Sequence, residues 1–369
     1  MDKIIINGNR RLNGEITVQG AKNSVLPILV ATLLVNGVSV VHNCPILSDV
    51  EATIKILRYL GCIVTREGHT VTVDSTDVNR NDVPDNLMRE MRSSIIFLGA
   101  ILTVWNKAEV GMPGGCPIGL RPIDLHIKAL KQMGVRITEE YGYIKCECDR
   151  LKGAEIHLDF PSVGATENIM LAAVKAEGTT IISNAAKEPH IVNVATFLNN
   201  MGAKITGAGT STIKIEGVEY LGKCFHEVIP DRIEAGTYII IGALCGTPLK
   251  VDNVIPEHVD SLLSKLEEMG VDLEVGADYV IVSKPQEYKA TSIKTAVYPG
   301  FPTDLQQPFT VLQTQSNGKS KTTETIWENR FMHIPYLNDL GADIIMAFDE
   351  CCPYTNSLES SLAYPSLLE

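Results

Sequence analysis

The chain has 369 residues, 45% of them hydrophobic, and a formal charge of -12. That length exceeds one ordinary core and predicts two domains, while the acidic balance argues against non-specific binding to nucleic acid or anionic membrane. Nine cysteines without framework spacing, an N-terminus MDKIIINGNRRLNGEITV with no apolar leader, and apolar runs too short to cross a bilayer predict a protein of the reducing cytoplasm.

In chain order, the first element is an apolar helix, SVLPILVATLLV, preceded by Lys22 and Asn23. Its apolar character on most faces predicts burial rather than a surface position. Gly37 then turns the chain into the strand of NGVSVVHN, and the amphipathic helix SDVEATIKILRYL follows, ending in LGCIV at Gly61. The same phrase returns as MGVRI at Gly134, MGAKI at Gly202, MGVDL at Gly270 and LGADI at Gly341, at spacings of 73, 68, 68 and 71 residues. Gly37, Gly178, Gly246 and Gly318 stand 23 or 24 residues ahead of their partners, each read as a turn into a strand. The chain is therefore built from units of about 70 residues, each predicted as strand, helix, strand, helix, strand, strand. The buried helices are SVLPILVATLLV, SSIIFLGAILTV, ENIMLAAVKA and YIIIGAL; RPIDLHIKALKQM and PEHVDSLLSKLEEM are further amphipathic ones. The result is an α/β architecture with helices partly inside.

The second unit is the distorted one. Between its strand and its amphipathic helix lies GMPGGCPIGLRP, residues 111 to 122, whose four glycines and three prolines exclude helix and central strand. This loop presents Cys116. A lone loop thiol is either inert or reactive, and the loop by itself does not decide between them. The starts of the buried helices are more informative: Lys22 and Asn23, Arg92, Ser162 to Thr166, Asp231 to Gly236 with Arg232, and Thr303 to Asp304. Helix N-termini offer free N–H groups and a positive dipole end, so several of them facing one site, with Lys22, Arg92 and Arg232, would hold a phosphate or carboxylate. Asp304 could equally be an N-cap. Cys146 and Cys148 lack a second ligand pair, which predicts no metal site.

Seven motifs in order carry a family resemblance: GAKNS from Gly20, MRSS from Met91, PGGCPIGLRPIDLH from Pro113, PSVGAT from Pro161, PDRIEAGT from Pro230, FPTDLQ from Phe301 and ENRFMH from Glu328. The chain resembles the UDP-N-acetylglucosamine 1-carboxyvinyltransferases, enolpyruvyl transferases of bacterial peptidoglycan synthesis (EC 2.5.1.7). The resemblance implies inside-out α/β barrel domains of the enolpyruvyl transferase type, built from repeated βαβαββ units and closing over a cleft. One domain would comprise residues 1–21 plus 230–349, the other residues 22–229 with the Cys116 loop. It implies transfer of the enolpyruvyl group of phosphoenolpyruvate to the 3-hydroxyl of UDP-N-acetylglucosamine, with phosphate released and neither metal nor organic cofactor.

The resemblance also assigns residues. Cys116 would protonate the methylene carbon, Asp304 would orient or deprotonate the acceptor hydroxyl, and Lys22 with Asn23 would contact phosphoenolpyruvate. The nucleotide sugar would be held by Arg92, by Arg121, Pro122, Ile123, Asp124 and Leu125, by Ser162, Val163 and Gly164, and by Ile326. Glu328 and Arg330 fall near the site or form a salt bridge, and His126 packs or caps beside the nucleotide motif. Phe160 and Pro161 stand where some family members place a lysine, and Ile96 where some have an aromatic residue. A complete pair of domains needs six units, and five are visible. Residues 350–369, with Cys351 and Cys352, show neither the helix nor the strand pattern of a unit, so a truncated or altered chain is expected. The alternatives are an inactive truncated fragment that retains at most nucleotide-sugar binding, or a related enolpyruvyl transferase with another acceptor.

Overall fold

The computed structural model describes residues 3–8, 10–114, 122–348 and 356–360. Cys116, Arg121, Cys351 and Cys352 lie outside them. The chain divides into two compact units, residues 1–19 with 230–369, and residues 20–229.

Every repeat follows one plan. In the first, the helix Lys22–Ala31 leads to the strand Val38–His42, the helix Ser48–Tyr59 and the hairpin Ile63–Glu67 with Thr70–Asp74. The recurring glycine closes the second helix each time: Gly61, Gly134, Gly202, Gly270 and Gly341 all have φ between 84° and 108°. The N–H of the next residue reaches back five positions, as in Cys62 to Leu57 (3.0 Å), Val135 to Leu130 (3.1 Å) and Ala203 to Leu198 (3.0 Å). A left-handed residue closing the last turn this way satisfies carbonyls the helix leaves open, and glycine adopts it without strain. Gly37, Gly178 and Gly318 also have positive φ. Gly246 departs from the expected turn: it is the first residue of the strand Gly246–Asp252, and a side chain there would collide with the Gly242 carbonyl.

A short strand ends each repeat and pairs in parallel with the first strand of another. Asp82–Val83 joins Lys107–Gly111, and Glu155–His157 joins Thr179–Ser183. Phe225–Glu227 returns to Val38–His42, with Phe225 opposite Val40, so the three repeats of residues 20–229 close into a ring. Their helices Lys22–Ala31, Phe97–Trp105 and Val163–Ala173 sit within one continuous core that includes Val25, Ile28, Phe97, Leu98, Ile169 and Met170. In the other unit, Leu12–Thr17 pairs in parallel with Gly246–Asp252, and Ser292–Lys294 with Ser320–Glu324.

One asparagine marks the repeat as clearly as the glycines. Asn43, Asn184 and Asn253 all have φ near 57° and donate Nδ2 to the carbonyls of Val228 (2.9 Å), Leu158 (2.8 Å) and Val18 (2.7 Å). Each pins the end of a connecting strand to its neighbour, which a short polar side chain in the left-handed region does well.

The reading of residues 350–369 as patternless is corrected at one point. Asn356–Ser360 forms a strand that pairs antiparallel with both Ser320–Glu324 and Ile344–Phe348, completing the fifth four-stranded sheet. Its sequence NSLES carries little strand propensity; ladder partners on both sides supply what the local pattern does not.

Candidate functional site

Four helix starts in the unit of residues 20–229 carry residues singled out in the sequence. Lys22 is the first residue of its helix, with its ammonium 3.6 Å from the Asp49 carboxylate, and Asn23 beside it is exposed. Ser24, the next residue, is buried and donates to Asn193 Oδ1 (2.5 Å), which fixes where the helix begins. Arg92 opens a 3-10 turn, Arg92–Ile96, that runs into Phe97–Trp105. This turn packs on both other buried helices of the unit. Ser162 caps the helix Val163–Ala173 by accepting from the Ala165 N–H (3.3 Å). Asp124 is the first residue of Asp124–Gln132, following Pro122 and Ile123, with Leu125 partly buried behind it.

Beneath these starts lies a polar network that the sequence did not reveal. Asn168 is fully buried and links two helices: its Oδ1 accepts from the Gly99 N–H (2.6 Å), and its Nδ2 donates to the Ile95 carbonyl (3.1 Å) and meets His126 Nδ1 at 2.9 Å. Gly99 permits the approach, since a side chain there would strike the Asn168 backbone oxygen. Truncation in Asn168→Ala removes the side-chain partner of a backbone N–H, a carbonyl and an imidazole nitrogen in the buried interior. The expected cost is about 3 kcal/mol, read from the chemical denaturation midpoint.

Glu167, the next residue back, is also buried. Burial first, and the neighbouring Glu188 carboxylate second, raise its pKa well above the ordinary carboxylate range. The folded chain holds a proton that the unfolded chain releases near pH 4.5. The stability this group contributes is therefore present below that pH and is lost as pH rises through the folded pKa. In Glu167→Gln the fall in thermal midpoint from pH 5 to pH 8 becomes shallower; an unchanged slope excludes Glu167 as its source.

The unit of residues 1–19 and 230–369 holds a second cluster. Arg330, only 11% exposed, donates NH2 to Asp304 Oδ1 and Nε to Thr303 Oγ1 (3.2 Å). Thr303 donates its hydroxyl to Glu324 Oε2 (2.9 Å), and the N–H groups of Ile326 (2.8 Å) and Trp327 (3.2 Å) converge on Glu324 Oε1. One buried carboxylate thus ties Asp304 and Ile326 into a single arrangement. The cap reading of Asp304 is replaced: Asp304 lies inside the 3-10 turn Thr303–Leu305, makes no capping bond, and engages Arg330 instead. Glu324 was missed by sequence reasoning, yet a signal existed. It stands six residues after Gly318, where Asn43 follows Gly37 and Asn184 follows Gly178.

Arg232 begins the helix Arg232–Cys245, and its guanidinium carbon lies 5.4 Å from the Tyr298 ring centre. Glu328 is exposed, Phe160 is 45% exposed and Ile96 is buried. Cys146 and Cys148 are both buried, and burial pushes the Cys146 thiol up to about 12.

Repeated βαβαββ units with buried helices, and helix starts that collect basic and polar side chains, define the enolpyruvyl transferase class. The structure is similar to the enolpyruvyl transferase NikO from Streptomyces tendae, with a TM-score of 0.85 and 25% identity, covering 98% of this chain and 84% of that one. EPSP synthase from Acinetobacter baumannii shares the fold at a TM-score of 0.70 and 18% identity, over 98% and 85% of the two chains. The family model described as EPSP synthase (3-phosphoshikimate 1-carboxyvinyltransferase) matches residues 6–362. At the level of sequence, the chain is 53% identical to UDP-N-acetylglucosamine 1-carboxyvinyltransferase 2 of Caldanaerobacter subterraneus, over 93% of this chain and 83% of the relative. It is 47% identical to the protein of that name from Clostridium acetobutylicum, over 93% and 82%. The chain belongs to the UDP-N-acetylglucosamine 1-carboxyvinyltransferases within the EPSP synthase family.

Proposed function

We propose that this protein transfers the enolpyruvyl group of phosphoenolpyruvate to the 3-hydroxyl of UDP-N-acetylglucosamine and releases phosphate, the first committed step of peptidoglycan synthesis. The observation that carries this reading is the 53% identity, over 93% of the chain, to a relative named for that transfer. The chemistry is an addition followed by an elimination. A proton is delivered to the methylene carbon as the acceptor oxygen bonds to the adjacent carbon, giving a tetrahedral ketal; loss of a methyl proton and of phosphate then restores the double bond.

Each step asks for a group this chain has. Cys116 supplies the proton to carbon. Asp304, held by Arg330 through one oxygen, uses the other to orient and deprotonate the hydroxyl. Lys22 and Asn23 contact phosphoenolpyruvate, with Asp49 steadying the ammonium. Arg92, Arg121 and the helix start Ser162 to Gly164 face the diphosphate, where an arginine fork pairs two oxygens at once. Pro122, Ile123, Asp124, Leu125 and Ile326 complete the nucleotide-sugar contacts. No helix among the described residues is long and apolar enough to cross a membrane; a cytoplasmic site of action follows in this reading from the nucleotide-sugar substrate, an intermediate of intracellular metabolism.

The test is phosphate release from phosphoenolpyruvate with and without UDP-N-acetylglucosamine. Release that requires the nucleotide sugar is the expected result. Folded protein that binds the nucleotide sugar but releases no phosphate would refute the catalytic reading.

A further inference from the structure

His126 was expected only to pack or cap. It is 7% exposed, and its Nδ1 lies 2.9 Å from Asn168 Nδ2. The direction of that bond is settled by the backbone. Asn168 Oδ1 must be the oxygen, because it receives the Gly99 N–H; Nδ2 must be the nitrogen, because it faces the Ile95 carbonyl. Nδ2 is therefore a donor toward His126, and Nδ1 must accept. A neutral imidazole that accepts at Nδ1 carries its proton on Nε2.

The other side of the ring faces the start of the helix Val163–Ala173. A side chain placed at Gly164 would begin 3.3 Å from His126 Cε1 and 3.4 Å from Nε2. No described residue takes a hydrogen bond from Nε2. Burial, and then the nearby Arg92 charge, lowers the His126 pKa to about 4, so the ring stays neutral at physiological pH. A mostly buried N–H donor of fixed tautomer thus stands beside a capped helix start and an arginine, with glycine leaving the approach open.

We propose that His126 Nε2–H is an additional ligand contact, donating to a diphosphate oxygen of the nucleotide sugar bound at Ser162 to Gly164. This rests on the function proposed above. Because the ring is held neutral, it contributes a directed hydrogen bond without further charge. Asn168 is then the positioning residue that selects the tautomer.

Two variants separate the contact from packing. His126→Asn retains an oxygen that can accept from Asn168 but removes the outward donor; His126→Gln places an amide N–H near the Nε2 position. By calorimetry, His126→Asn binds UDP-N-acetylglucosamine about tenfold to a hundredfold more weakly, as expected for a hydrogen bond to a charged oxygen, while His126→Gln stays within about threefold of wild type. Affinity for uridine, which lacks the phosphates, is unchanged in both. In wild-type protein labelled with 15N-histidine, the Nε2–H tautomer is present before ligand is added, and its resonance shifts with UDP but not with uridine.

Wild-type affinity in His126→Asn overturns the proposal, as does an equal loss for UDP-N-acetylglucosamine and uridine, which would indicate packing alone. Should His126→Asn not fold, an Nδ1–H tautomer or an Nε2 resonance indifferent to UDP overturns it. A wild-type protein that binds no UDP-N-acetylglucosamine defeats the proposed function and this contact together, whereas wild-type binding with an unaffected variant defeats the contact only.

Discussion

Asp304→Asn lowers kcat by about 10²–10⁴-fold with little change in thermal midpoint. The size is that of a proton-transfer group removed from a reacting hydroxyl. The small structural effect follows from the surroundings of residue 304. Arg330 donates to one side-chain oxygen, Oδ1, and an asparagine oxygen can still accept there. Arg330 is further held by Thr303, and Thr303 by the buried Glu324. The substitution therefore keeps the geometry and removes only the ability to take a proton. Steady-state kinetics should show kcat and kcat/KM falling together, the signature of an interaction made in the transition state. A kcat within about threefold of wild type would mean that another group accepts the proton, and would leave Asp304 as an anchor for Arg330.

Cys116→Ala has an effect of similar size on kcat, again about 10²–10⁴-fold. Protonating a vinyl carbon requires an acid placed over that carbon, and the loop of residues 111 to 122 offers one titratable thiol among glycines and prolines. In the proposed mechanism part of the loss belongs to the acid and part to the exclusion of water from a reactive cationic centre. Cys116→Ser separates them, since it preserves size and hydrogen bonding but is a far weaker acid. If both variants retain wild-type phosphate release, the proton comes from elsewhere.

The two variants ask different questions of one reaction. In the proposed reaction Asp304 concerns the oxygen that attacks, and Cys116 the carbon that is protonated. In the proposed mechanism the losses are not additive, because both groups act in the addition step.

The repeat was legible because its determinants are local. A glycine that must adopt positive φ at a helix end recurs at Gly61, Gly134, Gly202, Gly270 and Gly341, and no other residue takes that conformation as cheaply. The largely apolar stretches SVLPILVATLLV, SSIIFLGAILTV and ENIMLAAVKA likewise announced buried helices, since a helix hydrophobic on most faces has only the core to occupy. Helix starts were readable for the same reason: Ser162 and Asp231 cap the next turn with their own side chains. Motif order along the chain was enough to indicate the family.

Only the tertiary structure decided what depends on partners far apart in sequence. Phe225–Glu227 closing on Val38–His42 joins residues more than 180 positions apart, and three short residues carry no record of their mate. Asn356–Ser360 becomes a strand because two other strands flank it. Asn168 takes its meaning from Gly99, Ile95 and His126, on three other elements. Glu324 likewise acquires its role from Thr303, Ile326 and Trp327. Propensity, turn chemistry and capping act over a few residues and are written in order along the chain. The direction of a buried hydrogen bond, and with it the tautomer of His126, is set by which backbone groups the fold brings to the same place.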